Sequence, residues 1–431
     1  MTRSVSRRGA VSSDSVEEID VRRNHARFPK LVLELASVAL SAAIAITAHA
    51  QAPIRIGVSA SMSGSNELLS QNRLRGFQLC VKRANEKGGV LGRRLELIVE
   101  DDKSDVATAV KNYESLITEK RVDAVLGPYG SGHTDAVADV TEKHGMPLVA
   151  PVGTTSIFRK GRKFVFMVAP PAEGYLEGLI DLAAKRGLKT VAVIGEDTLF
   201  PRAAAQGAVE LAKRKGLNVV LSETYPKGTM DFASLLTRIR SADPDVVAAA
   251  TYFVDAVAIT RQMKALDVNP KMFGVTAGGD SPKFYKTLGK DAEFVYSATQ
   301  WVPDLVSARA GGLIPVARQF PGAREFVEAY NREYPGADLS YHSANGYASC
   351  ELLLEGIRQA GSLDGERIRN IILKLDTNTV FGRFKVDSTG YQVAQQMLAI
   401  QWQDGKKVIV WPEELAPDRP RLPTPPWNQR R

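Results

Sequence analysis

The sequence predicts an α/β fold made of two similar lobes, each a doubly wound parallel sheet. Short apolar strand patterns alternate with amphipathic helix patterns, and this alternation starts again near Lys189. Strands that alternate with helices form parallel sheets covered by helices. A chain of 431 residues, 44% of them hydrophobic, is also long enough to bury two cores.

The first half opens with two strand–helix units. Residues 54–61 (IRIGVSAS) form an apolar strand pattern, and residues 73–87 follow with apolar side chains on one helical face. Residues 93–102 form the next strand pattern. The helix pattern after it has apolar residues at i, i+3, i+4 and i+7 spacing, namely Val106, Ala109, Val110, Tyr113, Leu116 and Ile117.

Two short buried strands follow, and each ends in a turn of glycine and hydroxyl residues. Residues 122–127 lead to a turn that contains Ser131, and residues 147–151 lead to one that contains Gly153 and Thr154. A turn that follows a strand and opens a helix presents free N–H groups and a positive dipole end. We expect both turns to converge on one small anion, most simply a carboxylate. The alternative is that both hydroxyls are ordinary helix caps.

The second half repeats the pattern of the first. Residues 189–200, 217–232 and 243–255 match the first three strand patterns and the turns that follow them. Two similar lobes place the carboxyl ends of their strands opposite each other. The crevice outside those ends is where open α/β sheets bind ligands.

The composition argues against several classes of protein. Two cysteines and five scattered histidines, without HxH or HExxH spacing, predict neither a metal site nor a bound cofactor. No nucleophile, Walker or metal motif appears, so we do not expect an enzyme. The net charge of +8 is spread along the chain, which predicts no nucleic-acid binding.

The amino-terminal segment has the pattern of an export signal. An apolar run begins at Leu31 and ends in an A-x-A pattern at residues 48–50, with basic residues before it. We interpret residues 1–50 as a signal peptide, cleaved after Ala50, which predicts a periplasmic protein. A membrane anchor is the alternative, although the run is short and contains Glu34. The long segment before the run leaves the true start codon open.

Several segments together resemble one known family. They include IRIGVSASMSG, RGFQLCVKRANEKGGVLGRRLELIVEDDKSD, VDAVLGPYGSGHTDAVADV, GMPLVAPVGTT and KGTMDFASLLTRIRSADPDVV. The chain resembles the type I periplasmic solute-binding proteins of ABC importers, specifically the leucine/isoleucine/valine-binding family, from residue 54 to residue 410. The resemblance implies two lobes joined by three crossovers. It assigns residues 53–171 and 300–375 to the first lobe, residues 172–299 and 376–412 to the second, and 413–431 to a Pro-rich tail.

The resemblance also implies a binding site. Ser131 and Thr154 would hold the ligand carboxylate, with Val152 and Gly153 contributing backbone groups. Two aromatic positions of the second lobe and one capping position of the first would cover the ligand tail, and here they fall on Phe200, Tyr252 and Leu69.

Two positions of the family's site depart from its pattern. The aromatic residue that caps the side-chain pocket from the first lobe falls here on Leu69. The acidic residue that binds a ligand ammonium falls here on Thr276, which cannot offer a charge-assisted hydrogen bond. Asp255 or Asp280 is a possible replacement. The ligand is therefore either an amino acid or a carboxylate that lacks an ammonium and has an aromatic or branched apolar tail.

The two cysteines, Cys80 and Cys350, lie on helix patterns of the first lobe. In the fold that the resemblance implies, those helices share one face of the sheet, so a disulfide is geometrically possible. We expect two buried free thiols that pack as small apolar groups.

The sequence thus predicts the exported substrate-binding subunit of an ABC importer, a monomer that delivers its ligand to a membrane permease and its ATPase. The alternative is a ligand-sensing domain that acts on a separate receptor or regulator. Such a domain would use the same fold.

Overall fold

A computed structural model describes residues 51–306, 320–416 and 418–430. The predicted signal peptide, residues 1–50, lies outside these ranges. No helix within them is long and apolar enough to cross a bilayer.

The first sheet has five parallel strands in the order β2-β1-β3-β4-β5. Its strands are β1 (Ile54–Ala60), β2 (Leu95–Asp101), β3 (Ala124–Leu126), β4 (Leu148–Ala150) and β5 (Val165–Met167). The helices of this half are α1 (Glu67–Glu86), α2 (Val106–Thr118), α3 (Ser131–Lys143) and α4 (Thr155–Phe158). Helix α1 begins two turns before the predicted start at residue 73, and Glu67 lies in its first turn, where a carboxylate complements the helix dipole.

The second sheet has seven strands in the order β14-β13-β10-β9-β8-β6-β7. Its parallel part consists of β6 (Thr190–Glu196), β7 (Asn218–Tyr225), β8 (Val246–Ala250), β9 (Met272–Val275) and β10 (Tyr296–Thr299). Strands β13 (Leu398–Gln403) and β14 (Lys406–Trp411) are added antiparallel at one edge. A separate hairpin pairs β11 (Asp376–Thr379) with β12 (Gly382–Lys385). The predicted α/β fold with parallel sheets is confirmed, whereas the antiparallel edge was not anticipated.

Further helices cover the second sheet or return to the first. They are α5 (Glu177–Lys185), α6 (Leu199–Arg214), α7 (Ala233–Ala242), α8 (Phe253–Ala265), α9 (Pro282–Leu288), α10 (Ala323–Glu333), α11 (Tyr341–Ala360) and α12 (Gly365–Ile372). Local chemistry fixes several starts: Asp105 accepts a hydrogen bond from the Thr108 N–H, and Ser281 caps α9 with Pro282 in its first turn. We call the elements packed on the first sheet the first lobe and those on the second sheet the second lobe.

Helices α1 and α11 pack closely because each has a glycine at their crossing. A Cβ on Gly76 would lie 2.2 Å from the Ser343 carbonyl oxygen, and one on Gly346 would lie 2.3 Å from the Arg73 carbonyl oxygen. Four residues after each glycine comes a cysteine, and Cys80 and Cys350 form a disulfide with their Cα atoms 6.2 Å apart. The expectation of free thiols is therefore wrong: the glycines bring the two backbones within bridging distance.

The Pro-rich tail contains only short 3₁₀ turns in its described part. Near its end the buried Trp427 donates its indole N–H to the Val268 carbonyl at 2.7 Å, and the guanidinium of Arg430 lies 3.3 Å from the ring centre. The tail is thus attached to the second lobe beside the end of α8.

Candidate functional site

The first turn lies at the carboxyl end of β3, where α3 begins. Gly130 has a φ of 90°, a left-handed conformation that favours glycine, and Ser131 is the first residue of the helix. The Ser131 side chain is fully buried, and its Oγ has no hydrogen-bond partner among the described residues. A buried hydroxyl without a partner is unfavourable by itself, so it marks a place where a ligand atom is expected.

The second turn lies at the end of β4, and its polar groups are already bonded within the chain. The Thr154 hydroxyl is 2.8 Å from that of Ser156, and the Thr155 N–H donates to a carboxylate oxygen of Glu173 at 3.0 Å. The carbonyl of Gly153 accepts from the Ala172 N–H. The two turns sit on neighbouring strands as predicted, but the second is occupied by the crossover segment that follows it.

Aromatic side chains from the second lobe cover the first turn. The rings of Phe200 and Tyr252 are 5.3 Å apart, and Tyr175 meets Phe200 edge-on at 4.8 Å. Leu69 of α1 is buried in the same cluster, which also includes Tyr129 of the first turn. The structure therefore places Phe200, Tyr252 and Leu69 in one cluster with Tyr129 of the first turn, while Val152 is only partly buried and packs against a different apolar cluster.

Arg73 of α1 is a site residue that the sequence reasoning missed. Its side chain is 2% exposed, and its guanidinium lies 4.7 Å from the centre of the Tyr129 ring. One nitrogen, Nη1, donates to the Pro128 carbonyl at 3.3 Å, which holds the group at the first turn. Its Nε and Nη2 atoms have no acceptor in the described part of the chain. Burial lowers the Arg73 pKa.

The amino-terminal end of α11 adds a histidine to this region. The His342 ring is 5.5 Å from that of Tyr129, and neither of its nitrogens has a partner among the described residues. Burial, and then the charge of Arg73, hold the His342 pKa well below its usual range, so the ring is neutral at physiological pH.

Thr276 has a structural role in this fold. Its hydroxyl accepts from the Thr251 N–H and donates to the Thr251 carbonyl, both at 2.7 Å, and so joins the ends of β8 and β9. A glutamate here would have to leave this fully buried position.

Of the two candidate replacements, Asp280 faces the Arg73 region. It is fully buried, its Oδ2 accepts from the Thr299 hydroxyl at 3.2 Å, and its Oδ1 has no partner in the described ranges. Besides burial, its negative charge raises the pKa values of the Tyr129, Tyr175 and Tyr341 hydroxyls. Burial raises the Asp280 pKa to about 6.

Asp255 belongs to a different part of the cleft. It accepts from the Tyr225 hydroxyl at 2.6 Å and from the Tyr252 N–H, which makes it a cap of α8. It lines a cavity of about 100 Å³ at the outer rim, together with Glu196 of the second lobe and His133 of the first. Burial raises the Asp255 pKa to about 7.

The sequence contained one signal for Arg73. Leu69, Arg73 and Phe77 are four residues apart and share the buried stripe of α1. A charged residue inside an apolar stripe is either paired in the fold or functional. Asp280 and His342 gave no comparable signal, because their position depends on how distant segments pack.

The chain matches a known family over most of its length. Residues 53–407 match the family described as "Periplasmic binding protein". A Leu/Ile/Val-binding protein homolog 7 of Brucella melitensis is 29% identical over 409 residues, which cover 90% of this chain and 99% of that protein.

Solved structures share the fold. The leucine-binding protein LivK of Thermotoga maritima superposes with a TM-score of 0.74 at 25% identity, covering 83% of this chain and 97% of that one. The branched-chain amino acid transporter substrate-binding protein LivJ of Streptococcus pneumoniae, solved with isoleucine, gives 0.71 at 22% identity, with 82% and 97% covered. The second match shows likeness of fold alone.

Proposed function

Because the chain belongs to the type I periplasmic binding protein family, of the leucine/isoleucine/valine-binding kind, we propose that it is the exported substrate-binding subunit of an ABC importer. It captures a small carboxylate-bearing solute between its two lobes and delivers it to a membrane permease. The ligand is an amino acid of the branched-chain type or an organic acid with an aromatic or branched tail.

One observation supports the carboxylate most directly. The Ser131 hydroxyl is fully buried at the start of a 13-residue helix and has no partner among the described residues. A helix amino terminus stabilises negative charge through its free N–H groups and its dipole. A ligand carboxylate at this turn would supply the acceptor that the hydroxyl lacks.

The apolar tail of the ligand would be received by the second lobe. Phe200 and Tyr252 follow the carboxyl ends of β6 and β8, and the Tyr252 ring lies between that of Phe200 and that of Tyr129 in the first turn. Rings from one lobe over a polar turn of the other favour a ligand with one charged end and one apolar end.

Titration calorimetry on the purified chain tests this proposal. The panel pairs leucine with 4-methylpentanoate and phenylalanine with 3-phenylpropanoate, so that each pair differs by the ammonium alone. We expect saturable one-to-one binding of at least one of these four compounds. Binding of none of the four compounds would refute the carboxylate ligand. A compound that binds, but that is not transported by cells expressing the permease encoded beside this protein, would favour the sensing role.

A further inference from the structure

The buried guanidinium of Arg73 is bonded to no carboxylate in the described part of the chain. It is 2% exposed, and the groups nearest in charge effect are the hydroxyls of four tyrosines, three of which also feel the carboxylate of Asp280. Among the described residues its hydrogen bond to the Pro128 carbonyl uses one of five N–H donors, and Nε and Nη2 have no acceptor.

Such an arrangement is unfavourable for the ligand-free protein. Removing a charge from water costs several kcal/mol unless a partner of opposite charge and further hydrogen bonds offset it. Proteins retain buried charged groups without a partner mainly at functional sites. Arginine is also the residue whose planar fork fits a carboxylate with two parallel hydrogen bonds.

The guanidinium lies at the junction of the two lobes. Tyr129 and Tyr341 belong to the first lobe, while Tyr252 follows β8 of the second, and all three act on its charge. Its bond to Pro128 also holds it in the loop that ends in Ser131. The loop that carries Ser131 is thus also the loop whose carbonyl holds the guanidinium.

The surroundings also restrict the ligand. Five rings form a continuous row with neighbouring centres 4.8 to 6.3 Å apart, in the order Tyr175, Phe200, Tyr252, Tyr129 and His342. Tilted rings of this kind receive a flat ring edge-on or offset. The carboxylate of Asp280 acts on the same tyrosines, so a second negative group on the ligand would be repelled.

We infer that the guanidinium of Arg73 binds the carboxylate of the ligand, and that the ligand is a monoanionic carboxylate with an aromatic tail. The inference rests on the proposed function and names the residue and ligand class of its site. Ser131 and the start of α3 then supply secondary hydrogen bonds to the same carboxylate.

The test compares a charged probe with its neutral analogue, 3-phenylpropanoate and 3-phenylpropanamide, by calorimetry. The wild-type chain should bind the acid at least about 100-fold more tightly than the amide. Arg73→Met should reduce this preference to a few-fold, and Arg73→Lys should restore part of it. Arg75→Met, on the same helix but bonded to Asn72, should leave both affinities unchanged.

Thermal unfolding without ligand provides a second readout. Because the methionine removes an unpaired buried charge, Arg73→Met should unfold at the same or a higher temperature than the wild type. A clearly lower temperature together with an unchanged preference for the acid would show that Arg73 is structural and would overturn the inference.

The remaining outcomes separate the inference from the proposed function. An unchanged acid preference in Arg73→Met, with loss of binding in Ser131→Ala, overturns the inference and leaves the proposed function standing. Wild-type binding of leucine but not of 3-phenylpropanoate refutes the aromatic ligand class. Binding of neither contradicts both proposals.

Discussion

The rings of Tyr129 and Tyr252 lie 6.3 Å apart although they follow strands of different sheets. The Tyr252 hydroxyl also lies 3.8 Å from the point that a Cβ on Gly130 would occupy. This contact closes the second lobe over the first turn. We expect a ligand that binds at Ser131 to place its tail between these two rings.

Replacing Tyr252 with alanine should therefore change which ligands bind best. The Tyr252 ring packs on Phe200, where we expect the tail of the ligand, so aromatic acids should lose more affinity than short aliphatic ones. Calorimetry with 3-phenylpropanoate and butanoate measures the ratio of the two affinities. Tyr285→Ala, which removes a ring packed on Trp402 of the second lobe, is the control and should leave the ratio unchanged.

Removing the hydroxyl of Ser131 should weaken every carboxylate ligand by a similar factor. A hydrogen bond to a charged group contributes about 1.5–3 kcal/mol, so Ser131→Ala should reduce affinity about tenfold to a hundredfold. Thr154→Ala should have a smaller effect, because the Thr154 hydroxyl is already bonded to that of Ser156. Thr141→Ala, which removes another buried hydroxyl from α3, should have no effect. Wild-type affinity in Ser131→Ala would mean that this residue is only part of the helix start.

Asp280 should make ligand discrimination depend on pH. Its pKa is raised to about 6 by burial, with the Lys407 charge opposing the shift, so it is mostly ionised at pH 7.5 and mostly neutral at 5.5. An amino acid uses the ionised form as a partner for its ammonium, and should bind more weakly at pH 5.5. A simple acid is repelled by the ionised form, and should bind more tightly at pH 5.5. Calorimetry of phenylalanine and 3-phenylpropanoate at both pH values checks these two opposite changes in affinity.

Two variants show which carboxyl group causes that pH dependence. Asp280→Asn should reduce it, and Asp255→Asn measures the share of Asp255, because the Asp255 pKa is raised to about 7 and that carboxyl also changes charge between these two pH values. The folded-state pKa of Asp280 lies above its unfolded value, so its ionisation destabilises the fold progressively as pH rises from about 4 to about 6. Asp280→Asn should therefore raise the melting temperature at pH 7.5 and have little effect near pH 4. A lower melting temperature at pH 7.5 would contradict this interpretation.

The disulfide should contribute strongly to stability. It links residues 270 positions apart, and the chain-entropy account gives about 5.6 kcal/mol for a loop of that length. Cys80→Ser with Cys350→Ser should unfold at a lower urea concentration than the oxidised wild type. The reduced wild type should match the double variant, and equal midpoints for the oxidised and reduced wild type would contradict the prediction.

The parts of the fold that depend on local pattern could be predicted from the sequence. The strand before each turn is short and apolar, and the glycine and hydroxyl residues follow directly, so the positions of Ser131 and Thr154 at two neighbouring strand ends could be inferred. The antiparallel edge could not, because β13 pairs with β10 about 100 residues earlier in the chain, and β14 is then added to β13.

The chemistry of the site depended on packing between distant helices. Arg73 is placed by the close crossing of α1 and α11, which Gly76 and Gly346 permit. The matching Gly-x-x-x-Cys spacing on both helices was visible in the sequence and is the signal that could have indicated the disulfide. Without the crossing itself, neither the bridge nor the placement of Arg73 beside Tyr129 follows from the residues.

Small-angle scattering during a ligand titration tests most directly whether the two lobes capture the ligand between them. The rim cavity of about 100 Å³ is smaller than the roughly 300 Å³ or more of typical ligand pockets, so we expect the lobes to separate for entry and close on the bound ligand. The radius of gyration should fall as 3-phenylpropanoate saturates the chain, with a midpoint that matches the calorimetric affinity. An unchanged radius at a concentration where calorimetry shows full binding would contradict capture by lobe closure.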